Sequence, residues 1–175
     1  MTIAARRIVA WLIDWCCILV WVAVTAAVGV PLYLAGGITT TNVVMLNIVG
    51  AIVFGVPVVV ATARCESRQR GATPGKRAMG LIIRAAGIRL PYRVALLRNV
   101  LKLGVPWLIG HAAVYALASG SNTGDEVPAG VWALTGLAYL IPVVWIVSLF
   151  VGERRTPYDR ICGTDVSRPM VAAAP

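Results

Sequence analysis

A carboxylate lies inside the first long apolar stretch of this 175-residue chain, and the only histidine lies inside the third. Asp14 is six positions into its stretch, about 9 Å along a helix. Ionisable side chains at such depth are rare unless they pair or function. Asp14 could bind and release a cation or a proton, and His111 could relay that proton deeper into the membrane. The simpler prediction for His111 is a neutral imidazole that is hydrogen-bonded to a neighbouring helix.

A carboxylate in an apolar helix needs a cationic partner at the membrane boundary to offset the cost of its burial. Arg98 is the partner that we expect for Asp14, with Arg7 and Lys102 as alternatives. Arg7 precedes Asp14 on the same helix face, but it lies about 10 Å away along the helix axis. If the protein is a scaffold, these charges would form a clasp that pins a loop and the tail beneath the helices.

The C-terminal segment carries the signature of a short helix start. Thr156 fits the N-cap, Pro157 the first helical position and Asp159 the third, which is a capping box with aspartate in place of glutamate. We expect Asp159 to tie this turn to Arg77 or Arg160. That role is structural and involves no catalysis.

A second helix start is the loop motif, which comprises Thr73, Gly75, Lys76 and Arg77. Thr73 can cap the helix, a proline follows at the first helical position, and Gly75 permits a close backbone approach. A phosphate-binding loop is excluded. That loop has four residues between its first glycine and its Gly-Lys pair, whereas three separate Gly71 from Gly75.

The elements that must position these residues are four apolar stretches in a chain that is 59 % hydrophobic. About 20 apolar residues cross the hydrocarbon core of a bilayer. The stretches lack the period-two alternation of barrel strands, and helices satisfy their own backbone groups. The sequence therefore predicts transmembrane helices at roughly 8–30, 43–63, 103–119 and 131–151.

The basic residues indicate how these helices cross the membrane. Of the 16 lysines and arginines, two precede the first helix, ten lie in the loop 64–102, and four follow the last helix. Basic residues are retained on the cytoplasmic side during insertion. We therefore expect both termini and the loop 64–102 in the cytoplasm.

The loop 64–102 contains structure of its own. Residues 80–84 and 88–90 flank an Ala-Ala-Gly segment and predict a β-hairpin, to which 164–167 could add a strand. A basic helix that opens at Pro91 is expected before the third transmembrane helix. The predicted fold is an all-α membrane protein with four transmembrane helices and a short cytoplasmic hairpin and helix insertion between the second and third. We expect one domain over 1–168 and a disordered tail over 169–175.

Several function classes are excluded by composition and spacing. No nucleophile–base pair, paired carboxylates or metal-ligand cluster occurs at a suitable spacing, so we expect no enzyme, no metal and no cofactor. The formal net charge of +9 follows the predicted topology. We interpret it as attraction to anionic lipid headgroups, and not to nucleic acid. The four cysteines lie in the first helix or on the reducing side, so no disulfide is expected.

Three segments together resemble the RDD family of small membrane proteins: RRIVAWLID at 6–14, GATPGKRAMGL at 71–81 with LRN at 97–99, and YDRICGTDV at 158–166. The family is named for an arginine and two aspartates, which by this resemblance are Arg7, Asp14 and Asp159. Tyr158 stands where the family often has histidine. The hairpin turn at 85–87 lacks the acidic residue that is common in members.

The resemblance implies a transport role that is coupled to ions or protons. Asp14 would be the exchanging group, and the substrate is unknown. The alternative is a non-catalytic membrane scaffold, in which Arg7, Asp14 and Asp159 form a structural charge clasp. Four helices are few for alternating access, so we expect a homo-oligomer or a complex with another membrane protein. The expected location is the bacterial plasma membrane.

Overall fold

The computed structural model of the protein describes residues 1–37, 42–123, 127–153 and 155–169. Arg154 and the predicted tail after residue 169 lie outside the described residues. In chain order the elements are α1 (Ile3–Leu34), α2 (Val43–Gly50), the π-helical turn π1 (Ala51–Gly55), α3 (Val56–Ser67), α4 (Pro74–Ala78), β1 (Ile82–Ala85), β2 (Ile88–Arg89), α5 (Tyr92–Asn99), the π-helical turn π2 (Val100–Gly104), α6 (Val105–Thr123), α7 (Ala129–Ser148), α8 (Pro157–Ile161) and β3 (Thr164–Ser167).

Four helical segments are long and apolar enough to cross a membrane, as the sequence predicts. They are Ile3–Leu34, Val44–Ser67, Tyr92–Ala118 and Ala129–Ser148. The first begins before the predicted bound because Thr2 caps it, and its side chain accepts a hydrogen bond from the Ala5 N–H at 3.2 Å. Most large apolar side chains of these helices are exposed, which is the arrangement expected of helices that face lipid.

The third long helix differs from its prediction. A separate basic helix was expected to precede a span at 103–119, but helical structure runs without a break from Tyr92 through π2 into α6. The amide of Val100 donates to the carbonyls of Leu96 and Leu97, so the hydrogen bonds continue across the junction. The segment α5 packs against α3, where Ala95 is fully buried. This packing holds it in the bundle.

A three-stranded antiparallel sheet in the order β2-β1-β3 confirms the predicted hairpin and the predicted third strand. Ala85 pairs with Ile88 across the turn and with Thr164 on the other side. The turn residues Ala86 and Gly87 have φ values of +47° and +79°, as a two-residue type I′ hairpin turn requires.

The sheet is joined to the helices by an apolar core at one end of the bundle. This core contains Ala63 from α3, Ile83 from β1, Leu90 from the connection between β2 and α5, and Ala95 from α5. We call this end of the molecule the basic end. It consists of the first turns of α1, the segment 66–99 and the segment 155–167, which contact one another through α1–α4, α5–α8 and β1–β3 packing.

Candidate functional site

The centre of the basic end is a guanidinium held between two carboxylates. Arg98 on α5 is 1 % exposed, Glu66 on α3 is 0 % exposed, and Asp159 on α8 is 1 % exposed. Nη1 of Arg98 lies 2.8 Å from each carboxylate oxygen of Glu66. Its Nε and Nη2 lie 2.9 Å and 2.8 Å from Oδ1 of Asp159. One side chain therefore joins α3, α5 and α8.

Glu66 accepts further hydrogen bonds from two other residues. The ammonium of Lys76 on α4 lies 2.5 Å from Oε1, and Nδ2 of Asn99 lies 2.7 Å from Oε2. Asn99 is fixed in turn, because the same amide donates to the carbonyl of Ala95 at 2.8 Å. Both carboxylate oxygens of Glu66 are thus paired, which is the condition under which a buried charge is tolerated.

Asp159 has its own set of donors around the start of α8. The guanidinium of Arg7 contacts Oδ2, and the hydroxyls of Thr156 and Thr164 donate to Asp159 at 2.6 Å and 3.0 Å. Thr156 and Pro157 do start α8, but Thr156 makes no side-chain hydrogen bond to the helix backbone. The predicted capping box is therefore replaced by a bond between the two side chains.

Asp14 is held by uncharged donors. It is 8 % exposed; its Oδ2 accepts the hydroxyl of Thr73 at 2.6 Å, and its Oδ1 accepts the N–H of Gly75 at 2.8 Å. Both donors lie at the start of α4, which begins at Pro74. Thr73 occupies the N-cap position, but its side chain makes no hydrogen bond to the helix backbone, so the predicted side-chain cap is replaced by the bond to Asp14. Since the N-terminus of a helix presents unpaired N–H groups, a carboxylate is well placed there.

Gly75 is the residue that lets α4 approach α1. A β-carbon built on Gly75 would lie 2.0 Å from the carbonyl oxygen of Ala10 and 3.0 Å from Oδ1 of Asp14. Real atoms do not approach a backbone oxygen so closely, so any larger residue would separate the two helices. The predicted close backbone approach at Gly75 is confirmed.

The expected pairing of Asp14 with a basic residue is wrong. Arg98 and Arg7 both bind Asp159 instead, and Asp14 forms no ion pair among the described residues. The reason is geometric, because the loop motif places a hydroxyl and an N–H directly against α1 at Asp14. Lys102 lines the same cavity as Asp14, but the two side chains do not form an ion pair.

The expected partners of Asp159 are wrong as well. Nε of Arg77 donates to the carbonyl of Ala72 at 3.0 Å, within the loop motif itself. Arg160 is exposed, and its Nε lies 4.0 Å from a carboxylate oxygen of Glu153. Arg98, and neither Arg77 nor Arg160, is the partner of Asp159, because α5 packs against α8.

His111 lies in a stack of aromatic rings on α6. Its ring centroid is 3.8 Å from that of Trp107 at an interplanar angle of 31°, and 5.8 Å from that of Tyr115 in an edge-on arrangement. Within the described part of the chain it makes no hydrogen bond to a neighbouring helix, so that prediction is wrong. The structure does not bring His111 and Asp14 together.

A cavity of about 130 Å³ adjoins the charged residues. Asp14, Arg98 and Lys102 line it on the polar side, and Trp11 and Trp145 line it on the apolar side. Tyr158 lies beneath: its ring centroid is 5.1 Å from Cζ of Arg98 and 5.2 Å from the ring centroid of Trp145. The tyrosine thus packs between the charge network and the aromatic wall.

Asp159 and Lys76 lie outside the long helices, and their pKa values are shifted. Burial alone would raise the pKa of Asp159, but the Arg98 and Arg7 guanidinium groups and the Thr156 hydroxyl hold it well below its usual range. Burial lowers the pKa of Lys76 to about 8, although the Glu66 carboxylate acts in the opposite direction. Asp159 is therefore ionised at neutral pH, and Lys76 is mostly protonated there.

The charged network holds several segments of the chain together. Among the described residues no three His, Cys, Asp or Glu side chains are placed to hold a metal ion. The carboxylates of Glu66, Asp159 and Asp14 each accept at least two hydrogen bonds from protein donors. Such full coordination favours one rigid arrangement of α1, α3, α4, α5 and α8.

Glu66 is a member of the network that the sequence motifs do not predict. The predicted second transmembrane helix ends at residue 63, and the carboxylate lies three positions beyond it. One signal was available: Glu66 is the only acidic residue in 64–102, a segment with ten basic residues. A single carboxylate in such a segment is a natural centre for ion pairs.

The geometry explains why three distant sequence segments occur together. The sequence model of the RDD family matches residues 2–163. The chain belongs to the RDD family. Of the three residues that the resemblance singles out, Arg7 and Asp159 are in direct contact, and Asp14 binds the loop motif. Searches of curated proteins and of solved structures found no match.

We predict that Gly75→Ala destabilises this RDD protein by about 2–4 kcal/mol, because the methyl group must separate α4 from α1 and break the hydrogen bond to Asp14. Thermal unfolding of the purified protein in detergent, followed by circular dichroism, measures the effect. Gly136→Ala is the matched control, since a β-carbon at Gly136 meets no atom within 4 Å. Equal melting curves for the two variants would contradict the proposed contact.

The low pKa of Asp159 predicts an acid-sensitive fold. A carboxyl group whose pKa is lower in the folded state stabilises that state above its unfolded pKa, and the contribution is lost as the pH falls. The free energy of unfolding should therefore decrease from about pH 5 downward, and decrease less steeply in Asp159→Asn. Asp165→Asn, at an exposed carboxylate, should follow the wild-type curve. Parallel pH profiles for Asp159→Asn and the wild type would refute this assignment.

Proposed function

We propose that this RDD protein is a non-catalytic membrane scaffold in which the family's charged residues form a structural clasp. The proposal rests on one observation. Arg98 forms ion pairs with both Glu66 and Asp159, at the junction of three helices. Removing one member of such a network leaves an uncompensated buried charge, which typically costs about 3–5 kcal/mol. The clasp would keep the basic end rigid as a platform.

The coordination of Asp14 argues in the same direction. A carboxylate that carries a cation or a proton must exchange its partners between two states. Asp14 instead accepts one hydrogen bond at each oxygen, from Thr73 and from the backbone of Gly75. The donor at Gly75 cannot turn away without moving α4, which is packed against α1.

Ion or proton-coupled transport is the second candidate function. It is favoured by one observation, that Asp14 and Lys102 line the same cavity. Transport through this cavity would require the clasp to open, and four helices would need further copies of the chain to build two access states. We therefore rank the scaffold above the carrier.

The proposed setting follows from charge and length. Positive residues mark the cytoplasmic side of membrane proteins, so we place the basic end and both termini in the cytoplasm. The location would be the bacterial plasma membrane, where anionic headgroups attract the basic end. The partner that the scaffold organises would be a second copy of the chain or another membrane protein.

Flux measurements in proteoliposomes distinguish the two functions. We expect proton and sodium flux at the empty-liposome level for the wild-type protein and for Asp14→Asn. We also expect Asp14→Asn to lower the free energy of unfolding by about 1–3 kcal/mol, because it weakens the hydrogen bonds to α4. Asp165→Asn, at an exposed carboxylate, is the control for both measurements.

The scaffold proposal fails if the wild-type protein conducts above the empty-liposome level and folded Asp14→Asn does not. That result would identify Asp14 as a carrier group and would make transport the function.

A further inference from the structure

The cavity beside Asp14 has walls of two different kinds. Its apolar wall comes from α1 and from α7 with the residue that follows it: Ile8, Trp11, Pro142, Trp145, Ile146 and Leu149. Its polar floor comes from the basic end and π2. A single buried water needs only about 10–15 Å³, so a cavity of about 130 Å³ has room for a phosphate group.

The floor of the cavity carries one cation more than its carboxylates balance. Arg7 and Arg98 bind Asp159, and Arg98 and Lys76 bind Glu66. Asp14 is the carboxylate that lines the cavity itself. With Lys102 the floor has four cations against the three carboxylates Asp14, Glu66 and Asp159.

Lys102 is the cation that remains. It follows Arg98 by four residues, on the same side of the helix, and it lines the cavity. Among the described residues its ammonium forms no hydrogen bond and no ion pair, whereas each of the other floor cations does. Lys102 is half-buried. An ammonium that is partly withdrawn from water is stabilised by an anionic partner, and the cavity is where such a partner would fit.

The apolar wall points to a lipid as the source of that anion. Trp11 is 38 % exposed and Ile146 is 45 % exposed, and both belong to helices that are long enough to cross a membrane. The helix α1 packs on α4, and α7 packs on α6. The space between α1 and α7 therefore meets the surface that lipid would cover, with the cationic floor at the membrane boundary.

We propose that this cavity binds the phosphate of an anionic phospholipid, with Lys102 contacting the headgroup and Trp11 and Trp145 flanking the acyl chain. The site uses the ammonium of Lys102, which no carboxylate of the clasp balances. The proposal does not depend on whether the protein is a scaffold or a carrier. The tryptophan rings suit the boundary position, because indole rings prefer the region between headgroups and acyl chains.

Tryptophan quenching by brominated lipids tests the proposal on the full chain. The protein is reconstituted in phosphatidylcholine vesicles that contain a small fraction of dibrominated phosphatidylglycerol or dibrominated phosphatidylcholine. We expect the anionic lipid to quench at about tenfold lower mole fraction than the brominated phosphatidylcholine. One charge-assisted hydrogen bond to the headgroup is enough to give a preference of that size. The double variant Trp11→Phe, Trp145→Phe should lose this selective component.

Variants at Lys102 separate a site from general surface charge. Lys102→Gln should reduce the preference for the anionic quencher about tenfold, and Lys102→Arg should keep it. Arg93→Gln, which removes an exposed cation from α5, should also keep it. The comparison of the two quenchers in the wild-type protein needs no variant, so the test stands even if Lys102→Gln does not fold.

Three results would overturn the proposal. Equal quenching by the two brominated lipids in the wild-type protein would mean that Lys102 has another partner, such as Asp14. If Lys102→Gln and Arg93→Gln lost the preference for the anionic quencher equally, the preference would come from the general surface charge and not from a site at Lys102. Displacement of the anionic quencher by excess inorganic phosphate at constant ionic strength, but not by chloride, would show a site for free phosphate.

Discussion

The structure of the basic end depends on the burial of one guanidinium. Arginine stays protonated inside proteins, so Arg98 must have anionic partners wherever it is buried. Glu66 and Asp159 supply them from α3 and α8, and each is then completed by other donors. The requirement that no charge be left alone thus fixes the relative positions of helices that are far apart in sequence.

Asp14 solves the same problem with different chemistry. Its burial is compensated by the hydroxyl of Thr73 and the N–H of Gly75, which are available only because Gly75 has no β-carbon. The loop motif therefore has two functions, since α4 docks on α1 through Gly75 and brings Lys76 to Glu66. Arg7, Asp14 and Asp159 thus act at two neighbouring contacts, and both hold the basic end to the helices. This arrangement is the basis of our proposal that the protein is a scaffold and not a carrier.

Local features of this structure could be predicted from the sequence, and pairings could not. The hairpin, its third strand, and the helix starts at Pro74 and Pro157 follow from turn preferences and from the preference of proline for the first helical position. The ion pairs join residues such as Arg7 and Asp159, which are 152 positions apart. Which of the basic residues reaches which carboxylate depends on how helices dock, and the continuous π2 junction sets the direction of α5. Glu66 was missed for the same reason, because its importance arises only when Lys76, Arg98 and Asn99 converge on it.

The most direct test of the clasp is hydrogen–deuterium exchange in Arg98→Gln, compared with the exposed control Arg93→Gln. If Arg98 holds the basic end together, exchange should rise in both 74–78 and 157–167, which are separated in sequence from Arg98 and from each other. The exchange of α7 should stay at the wild-type level, and Arg93→Gln should match the wild type throughout. An increase confined to α5, or no increase at all, would contradict the account.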